Sequence, residues 1–367
     1  MTKIIDMHCD TISALYNKNG RGIQENLREN SGHIDLLRMR ESGYLLQNFA
    51  LFVELDRDGD PWERVLKLHE YYRGELEKNR DVLAPVLKFT DIEKNEAQGK
   101  ISAMLTVEEG AVCKGETGKL HSLYEMGVRM LTLTWNFENE LGCPNFDRAL
   151  KERISAVKAE RKTLSEAGDA ERAEQKLLEL QRLGHNLMYD NPPNLTGGLT
   201  EKGREFVSEM EKMGMIPDVS HLSDAGFYDV IETAHKPFVA SHSNARSICA
   251  CLRNLTDDMI RKLSEKGGCM GLNFCADFLE EKPAGMPNPG TVSSVVRHAK
   301  HIADVGGIDV LGLGSDFDGI DTHAELPGAQ SMGVLWEAMH RAGFTEGQLD
   351  KIFYGNVLRV YRETLKG

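Results

Sequence analysis

His8 and Asp10, near the start of the chain, are the first residues whose types and spacing could do chemistry. They end an apolar run that begins with Ile4 and Ile5. Because side chains alternate along a β-strand, His8 and Asp10 would point the same way while Cys9 points back. An imidazole and a carboxylate at one strand end form half of a metal site. An isolated pair of this kind is more often a surface histidine beside a turn aspartate, so the metal hypothesis depends on further ligands.

Four later apolar runs also end in a histidine or an acidic residue and supply those ligands. They are Glu108 after Thr106-Val107, His221 after Asp218-Val219-Ser220, His242 after Ala240-Ser241, and Asp316 after Gly314-Ser315. Three histidines and three carboxylates exceed the four ligands of a tetrahedral zinc ion. They suit two metal ions bridged by a carboxylate and a water, as in hydrolytic two-metal sites. Three buried carboxylates without cations would be very costly, so the set predicts a metal centre.

The elements that must position these residues are eight strand-like runs, mostly separated by amphipathic segments of helix length. The predicted strands are Ile4–His8, Leu45–Val53, Ile101–Val107, Val128–Thr134, Met215–Val219, Phe238–Ser241, Cys269–Phe274 and Val310–Gly314. The predicted helices include Pro61–Lys78, Gly203–Met213, Asp224–Thr233, Asp257–Lys266, Thr291–Val305 and Thr345–Leu365. Several strands are continuous apolar runs, which is typical of parallel strands covered on both faces. The alternation predicts a single α/β domain over residues 1–367, a (β/α)8 TIM-like barrel with catalytic residues at the carboxyl ends of its strands.

A densely charged segment from about residue 148 to residue 187 does not fit a minimal barrel. Its second half carries four leucines at helical spacing, namely Leu177, Leu180, Leu183 and Leu187. We interpret the segment as a helical hairpin inserted after the fourth strand, on the same side as the active site. The alternative, a solvated helical excursion without a function, is slightly preferred, although loops on this face often shape access to a barrel's pocket.

Composition and charge restrict the partners of the chain. Its 367 residues are 41% hydrophobic and 28% charged, as in an ordinary globular protein, and its formal net charge is −13. That charge argues against nucleic acid or an anionic membrane as the main partner. Seven cysteines without a C-x-x-C pair favour a reducing compartment, and no apolar run approaches the ~20 residues of a membrane span. With no room for a signal peptide before the first strand, we expect a cytoplasmic protein, with a homodimer among the open oligomeric states.

Taken in order, the motifs resemble those of the membrane (renal) dipeptidase family of zinc metallopeptidases. The motifs are His-x-Asp, Val-Glu, Asp-Val-Ser-His, Ser-His-Ser and Gly-Ser-Asp-Phe-Asp-Gly. The resemblance runs from Ile5 to about Arg359, apart from the charged segment. It implies a barrel hydrolase that holds two Zn²⁺ per chain and cleaves the amide bond of small dipeptides through a metal-bridging hydroxide.

The resemblance also implies which residues hold the metals. Glu108 matches the bridging carboxylate, and we prefer it to Glu109 because it directly follows the strand-ending Val107. The other implied ligands are His8 and Asp10 for one ion, and His221 and His242 for the other. Asp316 matches an aspartate at the first metal that could serve as a ligand, as the proton shuttle, or as both.

Two further residues would contact the substrate if the resemblance holds. Arg253 matches an arginine that receives the substrate's free α-carboxylate, a task suited to the planar fork of a guanidinium. Trp135 stands where the best-known members of the family carry a substrate-contacting histidine. We expect its indole to form a wall of the substrate pocket, with the neighbouring Asn136 pointing away from it. Asp318 is expected to be structural.

The remaining titratable candidates receive structural interpretations. Cys249 and Cys251 lie beyond a strand end, and we expect them to pack rather than to bind a soft metal. Nine histidines do not end a predicted strand, and we expect surface or loop positions for them: His33, His69, His121, His185, His235, His298, His301, His323 and His340.

Two other functions compete with a dipeptidase. The first is another barrel metallohydrolase that acts on lactones, cyclic amides or phosphoesters. Many of those enzymes use His-x-His after the first strand and a modified lysine as the bridge, so Asp10 and Glu108 argue against it. The second is a non-catalytic metal-binding protein on the same scaffold, and the intact set of six ligands argues against that.

Overall fold

Eight parallel strands form a closed barrel in the computed structural model, which describes residues 3–283, 286 and 290–366. The barrel strands are β1 (Ile4–Asp6), β2 (Tyr44–Phe52), β3 (Ile101–Glu108), β4 (Val128–Thr132), β5 (Ile216–Asp218), β6 (Val239–Ala240), β7 (Cys269–Leu272) and β8 (Leu311–Leu313). Each strand pairs in parallel with the next one along the chain. The ring closes where Asp6 of β1 pairs with Leu313 of β8. The predicted (β/α)8 barrel is therefore confirmed.

Most barrel strands end earlier than the sequence predicts, and one short strand was not predicted. The run predicted as Ile4–His8 is a strand only over Ile4–Asp6. Beyond that point the backbone pairs with the loop after β8, where the Asp10 amide donates to the Phe317 carbonyl at 2.9 Å. The unpredicted strand, Leu83–Pro85, pairs with the first residues of β3 outside the ring. Its three residues are too few to show a period, and the proline limits it to an edge.

Helices connect the strands and cover the outside of the barrel. Their bounds are Thr11–Gly20, Leu36–Ser42, Pro61–Lys78, Phe89–Ala97, Thr117–Glu125, Arg148–Glu166, Ala170–His185, Glu201–Met213, Asp224–Thr233, Asp257–Glu265, Ala276–Leu279, Val292–Gly306, Met332–Arg341, Glu346–Asp350 and Asn356–Thr364. Short 3₁₀ turns (Gly110–Cys113, Ile308–Val310, Ala329–Ser331) and π turns (Asn186–Asp190, Lys351–Gly355) complete the set. Two helices coincide with their predicted bounds because their caps are explicit in the sequence. Asp60 and Ser223 each accept a hydrogen bond from the first turn of the helix that follows.

Two glycines allow the last three strands to approach closely. A Cβ atom at Gly314 would lie 1.7 Å from the carbonyl oxygen of Ser241, and one at Gly271 would lie 2.0 Å from the same oxygen. Only glycine fits at these two positions, because any side chain would collide with the backbone of the neighbouring strand. The close approach brings the ends of β6, β7 and β8 together at one edge of the barrel.

The predicted hairpin consists of two helices, Arg148–Glu166 and Ala170–His185, and these helices are called the hairpin below. Ion pairs join them, with Arg153 to Glu179 at 3.1 Å and Lys176 to Glu160 at 2.6 Å. Only Val157, Ala173 and Leu183 are buried within the two helices. No helix in the described part of the chain is both long enough and apolar enough to cross a bilayer.

Candidate metal centre

The six predicted ligands converge at the carboxyl ends of the barrel strands, and all of them are buried. His8 and Asp10 follow β1, and the ring nitrogen Nε2 of His8 lies 3.4 Å from Asp10 Oδ2. The same nitrogen lies 3.4 Å from Oε2 of Glu108, the last residue of β3. It also lies 3.8 Å from Oδ1 of Asp316, which follows β8. His8 is therefore the centre of a group of three carboxylates.

The second half of the cluster lies on the other oxygen of Glu108. His221 follows β5, and its Nε2 atom lies 3.0 Å from Glu108 Oε1. His242 follows β6, and its Nε2 atom lies 3.5 Å from the same oxygen. The two Nε2 atoms are 3.0 Å apart. Glu108 thus presents one oxygen to His8 and the other to His221 and His242, which is the arrangement that a bridging carboxylate needs.

Several buried polar atoms of this cluster have no hydrogen-bond partner. They are Nδ1 and Nε2 of His8, Oδ1 of Asp10 and Oε1 of Glu108. Buried donors and acceptors are normally satisfied, so an unsatisfied group of this kind indicates a ligand or ion. Two overlapping sets, His8 with Glu108 and His242, and His8 with Asp10 and Asp316, have ligand atoms within 4.8 Å of one another. The residues therefore fit metal ions by geometry as well as by type.

A buried aspartate and a serine fix the orientation of His242. The Ser241 hydroxyl lies 2.6 Å from Asp218 Oδ2 and 2.7 Å from His242 Nδ1. Because the hydroxyl donates to the carboxylate, it accepts from the imidazole, which places the ring proton on Nδ1. The lone pair of Nε2 then points into the cluster. Outer partners of this kind orient the histidines of metal sites and set their tautomer.

Asn136 plays the same part for His221, and the sequence analysis did not anticipate it. Its side-chain oxygen accepts from His221 Nδ1 at 2.9 Å, so that the lone pair of His221 Nε2 also points into the cluster. We expected Asn136 to point away from the side of Trp135. Both side chains lie beside His221, and the centroid of the Trp135 ring is 6.1 Å from that of the His221 ring. The sequence gives little sign of the contact between Asn136 and His221, since the two residues lie 85 positions apart.

The loop after β8 holds Asp316 in an uncommon backbone conformation. Asp316 and Asp318 have positive φ values of 63° and 67°. The Asn273 amide donates to Asp316 Oδ2 at 2.9 Å. The Asp318 carboxylate accepts from the Thr11 hydroxyl at 2.5 Å, which ties the loop to the segment after β1. At Gly319 a Cβ atom would lie 2.1 Å from Asp10 Oδ2, so the backbone passes directly against the acidic group.

Burial makes ionisation of two of the carboxyl groups difficult. It raises the pKa of Asp316 to about 7 and the pKa of Asp10 to about 6. Burial works in the same direction on Glu108, but the charge of His8 outweighs it and holds the pKa of Glu108 well below its ordinary value. Burial lowers the pKa of His8, and the charge of Glu108 outweighs that effect and raises it well above normal. A cation is needed among these carboxylates, and a metal ion would take the place of the proton on His8.

The other two histidines are neutral. Burial, followed by the charge of Arg253, lowers the pKa of His221 to about 3. Burial and then the charge of His8 shift the pKa of His242 in the same direction. Metal binding requires deprotonated imidazole, so both rings are in the form that can coordinate an ion.

Arg253 lies beside the cluster with most of its donors unused. The residue is 5% exposed, and its Nη2 donates to the carbonyl oxygen of His242 at 3.3 Å. The Nε and Nη1 groups have no hydrogen-bond partner. The loop that carries Arg253 is held by a buried ion pair in which both Nη atoms of Arg246 lie 2.7 Å from the Asp224 carboxylate. A buried guanidinium with free donors is prepared for an anionic group of a ligand.

Trp135 is half-buried and lies at the edge of the cluster. Its ring contacts Phe52 at a centroid distance of 4.9 Å and lies 6.1 Å from the His221 ring. The backbone amide of Trp135 donates to Glu109 Oε2 at 3.2 Å. Glu109 has a positive φ of 102° and is fully buried, so it supports this segment from below and does not enter the cluster.

The expectation for the other histidines was wrong at one position. His298 is fully buried in a helix, where its Nδ1 accepts from the Ala245 amide at 3.1 Å and its Nε2 donates to the Leu279 carbonyl at 3.0 Å. A histidine satisfied by two backbone groups cannot be told from a surface histidine by spacing. His323 is 5% exposed and lies in a loop, as expected. The other seven are half-buried or exposed.

A parallel eight-stranded barrel with metal-ligand side chains at the carboxyl ends of its strands defines a metal-dependent hydrolase of the barrel type. The chain matches the sequence model of the membrane dipeptidase family (Peptidase family M19) over residues 1–176 and 185–366. It therefore belongs to this family and is a metallopeptidase. The gap between the matched stretches lies in the second helix of the hairpin, so most of the hairpin falls inside the match.

Individual proteins are also similar to this chain. The chain is 30% identical over 278 residues to a Klebsiella pneumoniae protein named for its position in the pqqA 5′ region, covering 75% of this chain and 87% of that protein. The crystal structure of the dipeptidase AC, a family M19 metallopeptidase, has a TM-score of 0.81 at 24% identity, covering 100% of this chain and 99% of that one. A Rhodobacter sphaeroides metallopeptidase has a TM-score of 0.79 at 24% identity over 99% of both chains. The two structures share the fold of this chain.

Proposed function

We propose that this metallopeptidase hydrolyses the amide bond of small dipeptides with two zinc ions per chain. Glu108 is assigned as the bridging ligand. His8 and Asp10 complete one zinc site, with Asp316 beside it, and His221 and His242 complete the other. The observation that carries this proposal is the position of Glu108, whose two oxygens face His8 on one side and the other two histidines on the other.

Each neighbouring residue has a task in the reaction. When bound, the zinc ions would polarise the scissile carbonyl and lower the pKa of a bound water. Asp316 takes a proton from the attacking water and returns it to the leaving amine. Asn273 holds Oδ2 of Asp316, which leaves Oδ1 directed towards His8 and the cluster.

Arg253 and Trp135 contact the substrate in this proposal. Arg253 binds the C-terminal carboxylate through its free Nε and Nη1 donors, and this favours dipeptides over longer peptides. Trp135 forms a wall of the pocket beside His221. The Rhodobacter sphaeroides relative was crystallised with a phosphinate mimic of the dipeptide L-Ala-D-Ala, which supports a substrate of this size.

A turnover assay on a dipeptide panel tests the proposal. The panel contains free dipeptides in both configurations, the same dipeptides with amidated C-termini, and lactone, cyclic amide and phosphoester substrates. The protein is stripped with a chelator and then reconstituted with zinc, and its metal content is measured by elemental analysis. We expect zinc-dependent hydrolysis of the free dipeptides and about two zinc ions per chain, as in two-metal hydrolases. Turnover of only the lactones or phosphoesters would contradict the proposal, and so would no turnover at all.

A further inference from the structure

The hairpin places one cationic side chain against the edge of the metal centre. Lys151, in the first turn of the hairpin, donates from Nζ to the backbone carbonyl of Asn136 at 2.5 Å. The same nitrogen lies 3.3 Å from the ring centroid of Phe137 and 5.2 Å from that of Trp135. Contacts of an ammonium with aromatic faces are attractive. Lys151 thus contacts the backbone of Asn136, and the side chain of the same residue orients His221.

Lys151 has no acidic partner among the described residues, although it is half-buried. Arg153 and Lys176 each form an ion pair within the hairpin. Among the described residues no carboxylate forms an ion pair with Lys151, although the charges of Asp56 and Glu54 act on it from a distance. Burial lowers its pKa to about 8, which reflects the cost of holding an ammonium away from water. A half-buried cation without a counter-ion is suited to an anionic ligand.

Lys151 lines a cavity of about 1050 Å³ between the hairpin and the barrel loops. Asn136, Asn145 and Asn194 line the same cavity. Asn136 belongs both to the cavity and to the support of His221, and the cavity therefore adjoins the metal centre.

The acidic residues of the cavity do not neutralise Lys151. Asp56 and Glu138 are exposed at its rim, where solvent screens their charge. Asp147 accepts from the backbone of the helix that it caps, and Glu152 pairs with Arg148 at 3.0 Å. All four of these acidic residues are exposed, whereas Lys151 is half-buried and forms an ion pair with none of them.

The order of the strands places two cations on opposite sides of His221. Arg253 belongs to the loop after β6, and Lys151 packs on the segment after β4. His221 follows β5, which lies between those two strands. A dipeptide whose C-terminal carboxylate is bound by Arg253 and whose amide bond lies at the metal centre therefore directs its amino-terminal residue towards Lys151. This step depends on the proposed dipeptidase function.

We propose that Lys151 is a specificity-determining residue that binds a carboxylate on the side chain of the substrate's amino-terminal residue. The substrates it favours are dipeptides that begin with glutamate or aspartate. The side-chain carboxylate replaces the missing counter-ion of Lys151. The hairpin then has a function in selecting substrates, in contrast to the solvated excursion that the sequence slightly favours.

Isosteric substrate pairs test the proposal on the zinc-loaded full-length enzyme. Glu-Ala is compared with Gln-Ala, and Asp-Ala with Asn-Ala, with both configurations of the alanine. We expect kcat/KM to favour each acidic member by about tenfold or more, as for one charge-assisted contact. Lys151→Met should abolish the preference while retaining activity on the neutral members, and Lys151→Arg should keep part of it. Lys158→Met is the matched control, because Lys158 is an exposed lysine on the same helix and its loss changes the net charge equally.

A binding measurement on the metal-free protein tests the role of Lys151 independently of turnover. Glu-Ala and Gln-Ala are titrated while tryptophan emission is followed, and Trp135→Phe identifies the signal that arises beside Lys151. We expect tighter binding of Glu-Ala, and loss of the difference in Lys151→Met. Equal dissociation constants for Glu-Ala and Gln-Ala, or a preference for Glu-Ala that survives Lys151→Met, would overturn the proposal. If no dipeptide is hydrolysed, the proposed function fails, and this titration alone then decides the role of Lys151.

Discussion

The metal centre and the hairpin are built by opposite means. The six candidate ligands are buried and lie at strand ends, and hydrogen bonds from outside the cluster orient three of them, His221, His242 and Asp316. The hairpin buries only three side chains within its two helices, and exposed ion pairs join those helices. The first region is held by burial within the barrel, whereas the second is held mostly by exposed charges. The difference separates the chemistry, which we assign to the barrel, from the substrate choice that we propose for the hairpin.

The largest effect is expected from Glu108→Gln. Gln keeps the size of the side chain but removes the charge that both halves of the centre share. Outer partners of metal ligands are worth roughly 10–100-fold in affinity or activity, and loss of the bridge should exceed that range. Zinc content by elemental analysis and kcat on the best dipeptide are the measurements.

Glu109→Gln is the matched control for that prediction. It makes the same chemical change one residue along, at a side chain that supports Trp135 from outside the cluster. It should keep the zinc content of the natural protein. Equal zinc losses in the two variants would mean that the segment, and not the bridge, holds the metal.

The second largest effect is expected from Arg253→Met on free dipeptides. Truncating one partner of a desolvated ion pair costs about 2–5 kcal/mol, which should appear as a lower kcat/KM. Dipeptides with an amidated C-terminus lack the carboxylate, so they should be poor substrates that the substitution hardly affects. The same loss on acid and amide substrates would show that Arg253 acts on the metal centre and does not bind the carboxylate.

A smaller effect is expected from Asn136→Leu, which removes the outer partner of His221. Zinc affinity, measured by competition with a chelator, should fall by about 10–100-fold. Asn136→Asp retains an oxygen that accepts from His221 Nδ1, and it should largely restore the affinity. If both variants bind zinc as the natural protein does, His221 does not depend on this hydrogen bond.

The smallest effect is expected from Arg153→Ala in the hairpin. Its ion pair with Glu179 is exposed, and pairs of that kind contribute only about 0.2–1 kcal/mol to the free energy of unfolding. Chemical denaturation should detect a loss in this range, with kcat/KM unchanged across the dipeptide panel. A marked loss of activity would show that the pairing of the two helices matters as much as Lys151 does.

The ligands could be predicted from sequence because each follows a strand in the chain. His8, Glu108, His221, His242 and Asp316 all come at or just after the end of a continuous apolar run. In a parallel barrel the carboxyl ends of all strands meet at one edge, so position along a strand already implies position in space. The alternation of strand-like and helical runs gave the barrel, and the cap residues Asp60 and Ser223 gave the bounds of two helices.

The supporting residues could not be predicted, because their contacts join segments that have no shared pattern. Asn136 and His221 are 85 positions apart, and Lys151 reaches Asn136 from a helix with no apolar run before it. Strand ends were also placed too late. The apolar residues continue beyond the last residue of the strand, as after Asp6 and Asp218. At these points the chain turns and brings the candidate ligands inwards.

The closure of β1 on β8 has a consequence for how this protein is made. The Ser315 hydroxyl and the His8 carbonyl are hydrogen-bonded although 307 residues separate them along the chain. A ribosome must therefore release nearly the whole chain before the first half of the metal centre can assemble. Until then the unclosed sheet exposes two unpaired strand edges, which are prone to aggregation. Closing a ring between distant segments is also intrinsically slow, so the candidate ligands His8, Asp10 and Asp316 come together only late in folding.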